Sequence, residues 1–280
     1  MTGRISLPVI CLGILGFSIL YVPMTVMIVF SFNAGKLVSV WSGFSAKWYA
    51  SLPTNEQLLN AFGLSLFIAF WAATVATFFG TMIAIAFVRF GDFRGRLALS
   101  SLSTAPMVMP EVVTGLSLLL LFIGMESVLG WPAGRGVDTI IIAHATFGMC
   151  FAAVVIQARL RDFDQAIEEA ACDLGARQPF VFFSVTLPVI LPAVIAAWLL
   201  AFTLSFDDLV IASFVSGPGS STLPILVFSK VRLGVTPEIN ALASVMIGVV
   251  AISVISAASV SYTHLPSPRD ISGSRMPSSA

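Results

Sequence analysis

The stretch that decides the fold is residues 158–190, ARLRDFDQAIEEAACDLGARQPFVFFSVTLPVI, which lies between two strongly apolar segments. It holds three arginines and five of the chain's 14 acidic residues, although only 10% of the whole chain is charged. A simple connection between two helices could be far shorter. The length and charge of this loop therefore indicate that it does more than join its neighbours.

The first half of the loop is predicted to be an amphipathic helix that ends near Gly175, since glycine tolerates the left-handed geometry found just after helices. Its apolar residues follow helical spacing on one face: Phe163, Ile167, Ala170, Ala171 and Leu174. Pro188 then fits the first turn of the next helix, where its missing N–H costs little. Two interpretations stay open. Either the acidic edge at Glu168 and Glu169 docks into a groove on a cytoplasmic partner, or the segment is a solvated loop.

The composition on both sides of this loop is that of an integral membrane protein. The chain is 58% hydrophobic, with a mean hydropathy of +0.99, whereas soluble domains carry about 25% charged residues. A water-soluble fold this apolar would lack a polar surface, so lipid must be its solvent. The net charge is zero and gives no support to a nucleic-acid partner.

Six apolar stretches reach the length of about 17–25 residues that crosses a bilayer as a helix. They are residues 7–32, 58–88, 97–123, 139–157, 187–206 and 239–262. The first is longer than the core of a signal peptide and is expected to be retained. The predicted fold is therefore an all-α, six-helix membrane protein. It is divided into a first span with an outer loop (1–57), a core (58–262) and a disordered Ser/Pro-rich tail (263–280).

The distribution of basic residues predicts that both termini are cytoplasmic. With that orientation nine basic residues lie inside and five lie outside, and an excess of arginine and lysine marks the inner face. The inner set is Arg4, Arg89, Arg94, Arg96, Arg159, Arg161, Arg177, Arg269 and Arg275, and the outer set is Lys36, Lys47, Arg135, Lys230 and Arg232. The long outer segment 207–238 is still strongly apolar and is expected to fold back into protein or lipid.

Motifs for catalysis are missing from the sequence. The only Gly-Lys pair, Gly35-Lys36, is followed by Leu37 and not by the Ser or Thr of a phosphate-binding loop. Neither H-E-x-x-H nor G-x-S-x-G occurs. His144, inside the fourth span, is expected to be a hydrogen-bonded packing residue. We therefore expect no enzyme active site, no metal site and no cofactor in this chain.

The loop also carries a resemblance to a known family. Glu169-Ala170-Ala171, three residues, Gly175, nine residues and Val185-x-Leu187-Pro188 resemble the EAA loop of bacterial ABC import permeases. Val185 stands where that family has isoleucine. The resemblance implies a type I ABC importer permease fold with a cytoplasmic coupling helix that docks on an ATP-hydrolysing subunit. The residues to which it gives this coupling role are Glu168, Glu169, Ala170, Ala171, Asp173, Gly175, Leu187 and Pro188.

Three longer stretches resemble the polyamine (spermidine/putrescine) branch of that family, and most of all its putrescine importers. They are PMVMPEVVTGLSLLLLF (106–122), EAACDLGA (169–176) and SFDDLVIASFVSGPGSSTLPILVFSKVRLGVTPEINALA (205–243). The resemblance implies an inner-membrane subunit that forms half of a translocation path. Its partners would be a second related permease, two ATP-binding subunits that use the ATP, and a periplasmic polyamine-binding protein.

Three acidic residues at membrane depth, Glu111, Asp207 and Asp208, are candidates for the translocation path, because ionisable groups in a bilayer are costly. A rise of about 1.5 Å per residue places Glu111 roughly 21 Å and Asp207 roughly 29 Å from the inner ends of their spans. Pro106 and Pro110 are expected to disturb the third span locally before Glu111. Carboxylates suit the ammonium groups of a polyamine. The alternative is structural: Asp208 caps the following segment, and Glu111 pairs with an arginine or a backbone amide.

Other functions also stay open. The same machine could import another small organic cation or solute. A gradient-driven secondary transporter would explain the acidic residues but not the EAA loop. An intramembrane protease needs a catalytic pair at depth, and Asp207 and Asp208 are adjacent, so on a helix they point about 100° apart.

Overall fold

The structure, a computed structural model, describes residues 7–38 and 40–263. Within these residues the chain is helical, and no β-strand forms beyond one isolated bridge between Asn33 and Phe44. The α-helices are α1 (Leu7–Phe30), α2 (Lys47–Ser51), α3 (Glu56–Arg89), α4 (Arg96–Val108), α5 (Glu111–Leu129), α6 (Val137–Arg161), α7 (Ala166–Asp173), α8 (Gln178–Val181), α9 (Leu187–Phe206), α10 (Val210–Val215), α11 (Leu223–Leu233) and α12 (Pro237–Thr263).

The prediction of an all-α membrane fold is confirmed. Five helices among the described residues are long and apolar enough to cross a membrane: Pro8–Phe30, Glu56–Arg89, Glu111–Leu129, Val137–Arg161 and Gln178–Phe206. The predicted sixth span corresponds to α12. Its part Pro237–Ile252 is apolar but shorter than the five helices named above. The predicted tail, 263–280, lies outside the described residues except for Thr263.

The third predicted span, residues 97–123, is not one helix. Helix α4 stops at Val108, Met109 is extended at φ −75° and ψ 141°, and α5 begins at Glu111. Pro110 explains the break, because it lacks an N–H for the helix ladder and disfavours helical geometry in the residue before it. The expected disturbance of this span before Glu111 therefore occurs at Pro110, whereas Pro106 lies inside α4. The depth of roughly 21 Å assumed an unbroken helix and stays a prediction.

The fifth span starts earlier than the predicted residue 187. Helix α8 continues through a π-helical turn, Phe182–Thr186, directly into α9, so that Gln178–Phe206 is one helical run. Pro188 has no N–H to offer the turn before it, and the N–H of Leu187 bonds to Phe182 one residue further back than in an α-helix. The second half of the predicted loop 158–190 is therefore already helical.

The chain forms two compact units, and the larger one comprises Glu56–Ser229. Its centre is the packing of α3, α6 and α9. At Gly80 of α3, an added Cβ would lie 2.8 Å from the Ala152 Cβ and 2.9 Å from the Ala153 backbone nitrogen of α6. Gly148 approaches Ala76 and Ala201 in the same way. Small residues of this kind let membrane helices come close together.

This bundle has two ends, which we name by one residue each. The Arg89 end is where α3 and α6 finish and where the loop with α7 lies. At the other, the Asp207 end, α10 is buried against α5 and α6, and Thr139 donates a hydrogen bond to the Val215 carbonyl at 2.7 Å. This part of the apolar segment 207–238 folds back into protein, as expected.

The smaller unit contains α1, α2, α12 and the end of α11. Helix α1 packs on α12, and the loop after α1 is organised around the buried Asn33. The Asn33 amide donates to the carbonyls of Leu37 and Val40 at 2.9 and 2.7 Å. Its oxygen accepts from the backbone N–H groups of Gly35 and Ser42 at 3.2 and 2.8 Å. One side chain thus fixes the path of this loop.

Candidate functional site

Helix α7 has a defined end at each side. It follows Asp164, whose side chain accepts a hydrogen bond from the Ala166 N–H at 3.0 Å. At the other end, the N–H of Ala176 bonds to the Ala171 carbonyl at 3.1 Å, and that of Gly175 bonds to Cys172 at 2.8 Å. This pair of bonds is a Schellman motif. Gly175 has a φ of +87°, where a side chain costs roughly 1–2 kcal/mol.

The surface of α7 differs from the face predicted for it. Phe163, predicted on the helical face, precedes the helix and is buried. Ile167 and Leu174 are exposed, the latter by 90%. The remaining exposed residues of this surface are Ala166, Glu169, Ala170, Cys172, Asp173 and Gly175. Helix α7 therefore presents two apolar side chains, two carboxylates and small residues outward.

Glu168 is the acidic residue of α7 that turns inward. Its Oε1 lies 3.0 Å from Nη2 of Arg89 and accepts a hydrogen bond from the Thr186 hydroxyl at 2.5 Å. The Arg89 guanidinium also lies over the ring of Phe163, 5.6 Å from its centroid. Glu168 is thus engaged with the bundle, unlike the exposed Glu169 next to it.

An open cavity of about 590 Å³ lies beside this ion pair. Its walls come from the ends of α3 and α6, from α7 and from the start of the Gln178–Phe206 helix. Three carboxylates line it, those of Glu168, Glu169 and Asp173, together with the Arg89 guanidinium. Leu187, at the start of α9, instead packs into the buried cluster that holds Ile190.

At the Asp207 end, the three acidic candidates differ in exposure. Glu111, in the first turn of α5, and Asp207, directly after α9, are exposed. The Asp208 side chain is only 8% exposed. Its Oδ1 accepts a hydrogen bond from the Ala212 N–H at 2.8 Å and lies 3.3 Å from Nε2 of His144. Asp208 therefore caps α10, the structural alternative expected from the sequence.

The two exposed acids stand near one helix crossing. Gly115 of α5 packs on α10 so closely that an added Cβ would lie 2.8 Å from the Phe214 ring and 3.3 Å from the Ile211 Cα. Glu111 is four residues before Gly115, and Asp207 is four residues before Ile211. Glu111 is therefore about one helical turn from the contact, and Asp207 lies in the short connection that leads into α10.

Residues 76–268 match the family described as binding-protein-dependent transport system inner membrane component. The chain belongs to this family. The permease is 57% identical over 239 residues to the putrescine transport system permease protein PotI of Escherichia coli K12, covering 85% of each chain. It is 39% identical to the spermidine/putrescine transport system permease protein PotC of the same organism, over 86% of this chain and 88% of the relative.

Solved structures show the same fold at low identity. A bacterial ABC transporter involved in the import of alginate matches with a TM-score of 0.67 at 17% identity, covering 91% of this chain and 93% of that chain. An amino acid ABC transporter matches with a TM-score of 0.53 at 19% identity, covering 78% and 98%. The permease therefore has the type I ABC importer permease fold.

Sequence reasoning missed the partners of two site residues in the permease. His144 was expected to be a hydrogen-bonded packing residue, and its Nδ1 lies 2.7 Å from the Ser205 hydroxyl while Nε2 faces Asp208. Arg89 was counted only as an inner charge, but it binds Glu168. The partners lie 61 to 79 residues apart in sequence. The available signal was that a buried ionisable group requires a partner.

Ser205, His144 and Asp208 are the residue types of a hydrolase triad, yet the geometry is unsuited to hydrolysis. Ser205 is 8% and His144 is 4% exposed, and the space beside them is too small for a water molecule. A scissile carbonyl cannot reach the Ser205 hydroxyl. The cluster is a hydrogen-bonded packing site that joins α6, α9 and the start of α10, and it gives the protease alternative no support.

No metal-binding group was found in the described part of the permease. Within residues 7–38 and 40–263, no three side chains of the types His, Cys, Asp and Glu group together so as to hold a metal ion.

Proposed function

We propose that the permease is one of two membrane subunits of an ATP-driven importer of putrescine. The observation that carries the proposal is its 57% identity to the E. coli putrescine permease over 85% of both chains. The spermidine/putrescine permeases of E. coli and Haemophilus influenzae are 39% and 42% identical. The greater identity favours putrescine as the cargo, and spermidine is the second candidate.

Helix α7 is the proposed coupling helix. Its exposed residues Glu169, Ala170 and Asp173 form the docking surface for an ATP-hydrolysing subunit, and the cap at Gly175 fixes where that surface ends. The acidic edge suits a basic groove on the partner, because complementary charge steers association and fixes register. ATP is bound and used by the partner, and no step of its hydrolysis falls to the permease.

The assembly that this role requires has four further chains. A second, related permease completes the translocation path, and an ATP-binding subunit docks on the coupling helix of each permease. A periplasmic binding protein delivers the polyamine. The complex sits in the bacterial inner membrane, and transport proceeds by alternating access.

The Arg89 end of the bundle is the proposed cytoplasmic end, and both termini are cytoplasmic. Arginines concentrate at this end, which is the signature of an inner face. They are Arg89, Arg94, Arg96, Arg159, Arg161 and Arg177. The Asp207 end then faces the side from which the binding protein delivers its cargo.

Glu111 and Asp207 are the proposed contacts for the cargo in the translocation path. Both carboxylates are exposed and stand near the crossing of α5 and α10, where they can accept hydrogen bonds from the two ammonium groups of putrescine. Asp208 belongs to the same region, but it supports the path by capping α10. Binding in the path must be weak, since a conduit has to release what it binds.

Uptake of labelled putrescine into proteoliposomes tests the proposal. The vesicles hold the permease, the second permease, the ATPase and internal ATP, and the binding protein is added outside. We expect ATP-dependent uptake that excess unlabelled putrescine suppresses more strongly than spermidine does. Glu169→Lys should abolish uptake while the permease remains inserted. Uptake of spermidine alone would contradict the cargo, and full activity of Glu169→Lys would contradict the docking surface.

A further inference from the structure

Glu168 differs from the other acidic residues of α7 in what it binds. A single carboxylate oxygen, Oε1, receives Nη2 of Arg89 at 3.0 Å and the hydroxyl of Thr186 at 2.5 Å. Arg89 is the last residue of α3, and Thr186 is the last residue of the π-helical turn before α9. One side chain of α7 is therefore tied to two helices of the central bundle.

The contact is largely closed to solvent. The Arg89 and Glu168 side chains are 16% and 21% exposed, and Phe163 covers one face of the guanidinium. Hydrogen bonds between ionised groups are roughly twice as strong as neutral ones. Among the described residues, Nη1 of Arg89 is buried without a hydrogen-bond partner. Glu168 therefore supplies the charge that keeps this guanidinium stable in place, and separating the two would leave a buried charge unpaired.

The contact with Thr186 lies at a π-helical turn. Thr186 closes a π-helical turn, and such turns inside α-helices are often functional sites. The same helical run continues as α9, which packs against α3 and α6. A displacement of Glu168 would therefore pull on the end of α3 through Arg89 and on the turn that leads into α9 through Thr186.

We propose that Arg89, Glu168 and Thr186 form a pin that transmits the movement of α7 to α3 and α9. This inference rests on the proposed function. In it Glu168 is a positioning residue that faces the bundle, while Glu169 and Asp173 face the ATPase. Loss of the pin leaves α7 able to dock, so ATP is still hydrolysed, but the membrane helices follow the docked subunit poorly.

The pin makes a distinct prediction about coupling. Glu168→Gln removes the negative charge that strengthens both bonds, and Thr186→Val removes one of the bonds. Each variant should retain the bound ATPase, while the amount of putrescine imported per ATP hydrolysed falls about tenfold. The exchange Arg89→Glu with Glu168→Arg should recover most of the coupling that either single change removes. Asp162→Asn, which removes an exposed carboxylate from the same loop, is the matched control and should leave the ratio unchanged.

Co-purification of the ATPase, ATP hydrolysis and uptake are measured together in the full complex. A fall in ATPase binding that matches the fall in uptake for Glu168→Gln would make Glu168 a docking residue and overturn the pin. A double exchange no better than its single components would also overturn it.

Hydrogen exchange of the purified permease provides a test that needs neither cargo nor ATPase. Backbone amides of 166–174 should exchange about tenfold faster in Glu168→Gln than in Asp162→Asn, because a neutral amide holds the helix to the bundle less strongly than the carboxylate does. Equal rates would overturn the pin whatever the transport result. If exchange is faster in Glu168→Gln but the wild-type complex does not import putrescine, the pin is supported. Only the proposed function is then overturned.

Discussion

Gly80 offers the sharpest test of how the central bundle is packed. The backbone of α6 lies so close that a Cβ at this position would come within 2.8 Å of the Ala152 Cβ, 2.9 Å of the Ala153 nitrogen and 3.0 Å of the Met149 oxygen. Carbon atoms in ordinary contact are about 3.5–4.0 Å apart. Two of the three close atoms belong to backbone, so no rotamer change can relieve them, and α3 must move away from α6.

The size of the effect follows from comparison with Gly63 in the same helix, which has nothing within 4 Å of an added Cβ. Replacing glycine by alanine within a helix gains about 1 kcal/mol of intrinsic propensity at either position. At Gly80 the overpacking costs roughly 1–3 kcal/mol in addition. Gly80→Ala should therefore be about 1–3 kcal/mol less stable than Gly63→Ala.

Unfolding of the two variants in the same lipid or detergent mixture measures this difference, with the wild type as reference. We expect Gly63→Ala at or above the stability of the wild type and Gly80→Ala clearly below Gly63→Ala. Equal stability of the two variants would refute the close approach of α3 and α6 on which the described bundle depends.

Three further predictions concern the loops and the Asp207 end. Gly175→Ala should destabilise the end of α7 by about 1–2 kcal/mol, because its φ of +87° is unfavourable for a side chain; unchanged hydrogen exchange of α7 would contradict this. Asn33→Ala should open the loop after α1, since four hydrogen bonds worth about 1 kcal/mol each are lost, and limited proteolysis should cut it faster. Asp208→Ala should lower stability because α10 loses its cap, whereas Asp207→Ala should raise the KM for putrescine without a loss of stability. A loss of stability in the Asp207 variant and a raised KM in the Asp208 variant would contradict the roles assigned to the two aspartates.

The features that sequence predicted well are those that local physics determines. Apolar length predicted the membrane helices α1, α3 and α6 to within a few residues, and the end of α7 followed from Gly175. These features depend on residues close together in the chain. The helical period, the cap and the length of a span can all be read without knowing what packs against them.

The errors arose where proline acted in a specific context. Pro110 ends α4, whereas Pro188 is tolerated inside a longer helical run because a π-helical turn precedes it. The sequence predicted a disturbance near Pro106 and Pro110, but not that the helix would end before Pro110 and continue through Pro106. The difference between Pro110 and Pro188 depends on the neighbouring turn, which can widen at Thr186, while Met109 becomes extended instead.

The inward turn of Glu168 and Asp208 could not be predicted from their positions. Each has an adjacent acidic neighbour, Glu169 or Asp207, and composition treats the two members of each pair alike. The structure separates them by giving one member a distant partner, Arg89 or His144. Such pairing joins helices that are far apart in sequence, so it becomes visible only when the bundle is assembled.

The two ends of the bundle share one arrangement, in which an adjacent acidic pair has one inward-facing and one exposed carboxylate. At each end one carboxylate is held inside by a nearby basic side chain and by a hydrogen bond from a further residue, and its neighbour is exposed. The held carboxylate fixes the local backbone, and the exposed one is free to meet a partner or cargo. We expect substitutions at the held positions to affect stability or coupling, and those at the exposed positions to affect binding.

The energy source tests the central claim most directly. Vesicles that hold the complete complex are given putrescine and its binding protein outside, either with internal ATP and no ion gradient, or with an imposed proton gradient and no ATP. The account predicts that internal ATP drives putrescine uptake and that vanadate inhibits this uptake. It predicts no uptake with the proton gradient alone. Uptake driven by the gradient without ATP would contradict the assignment of this permease to an ATP-driven importer.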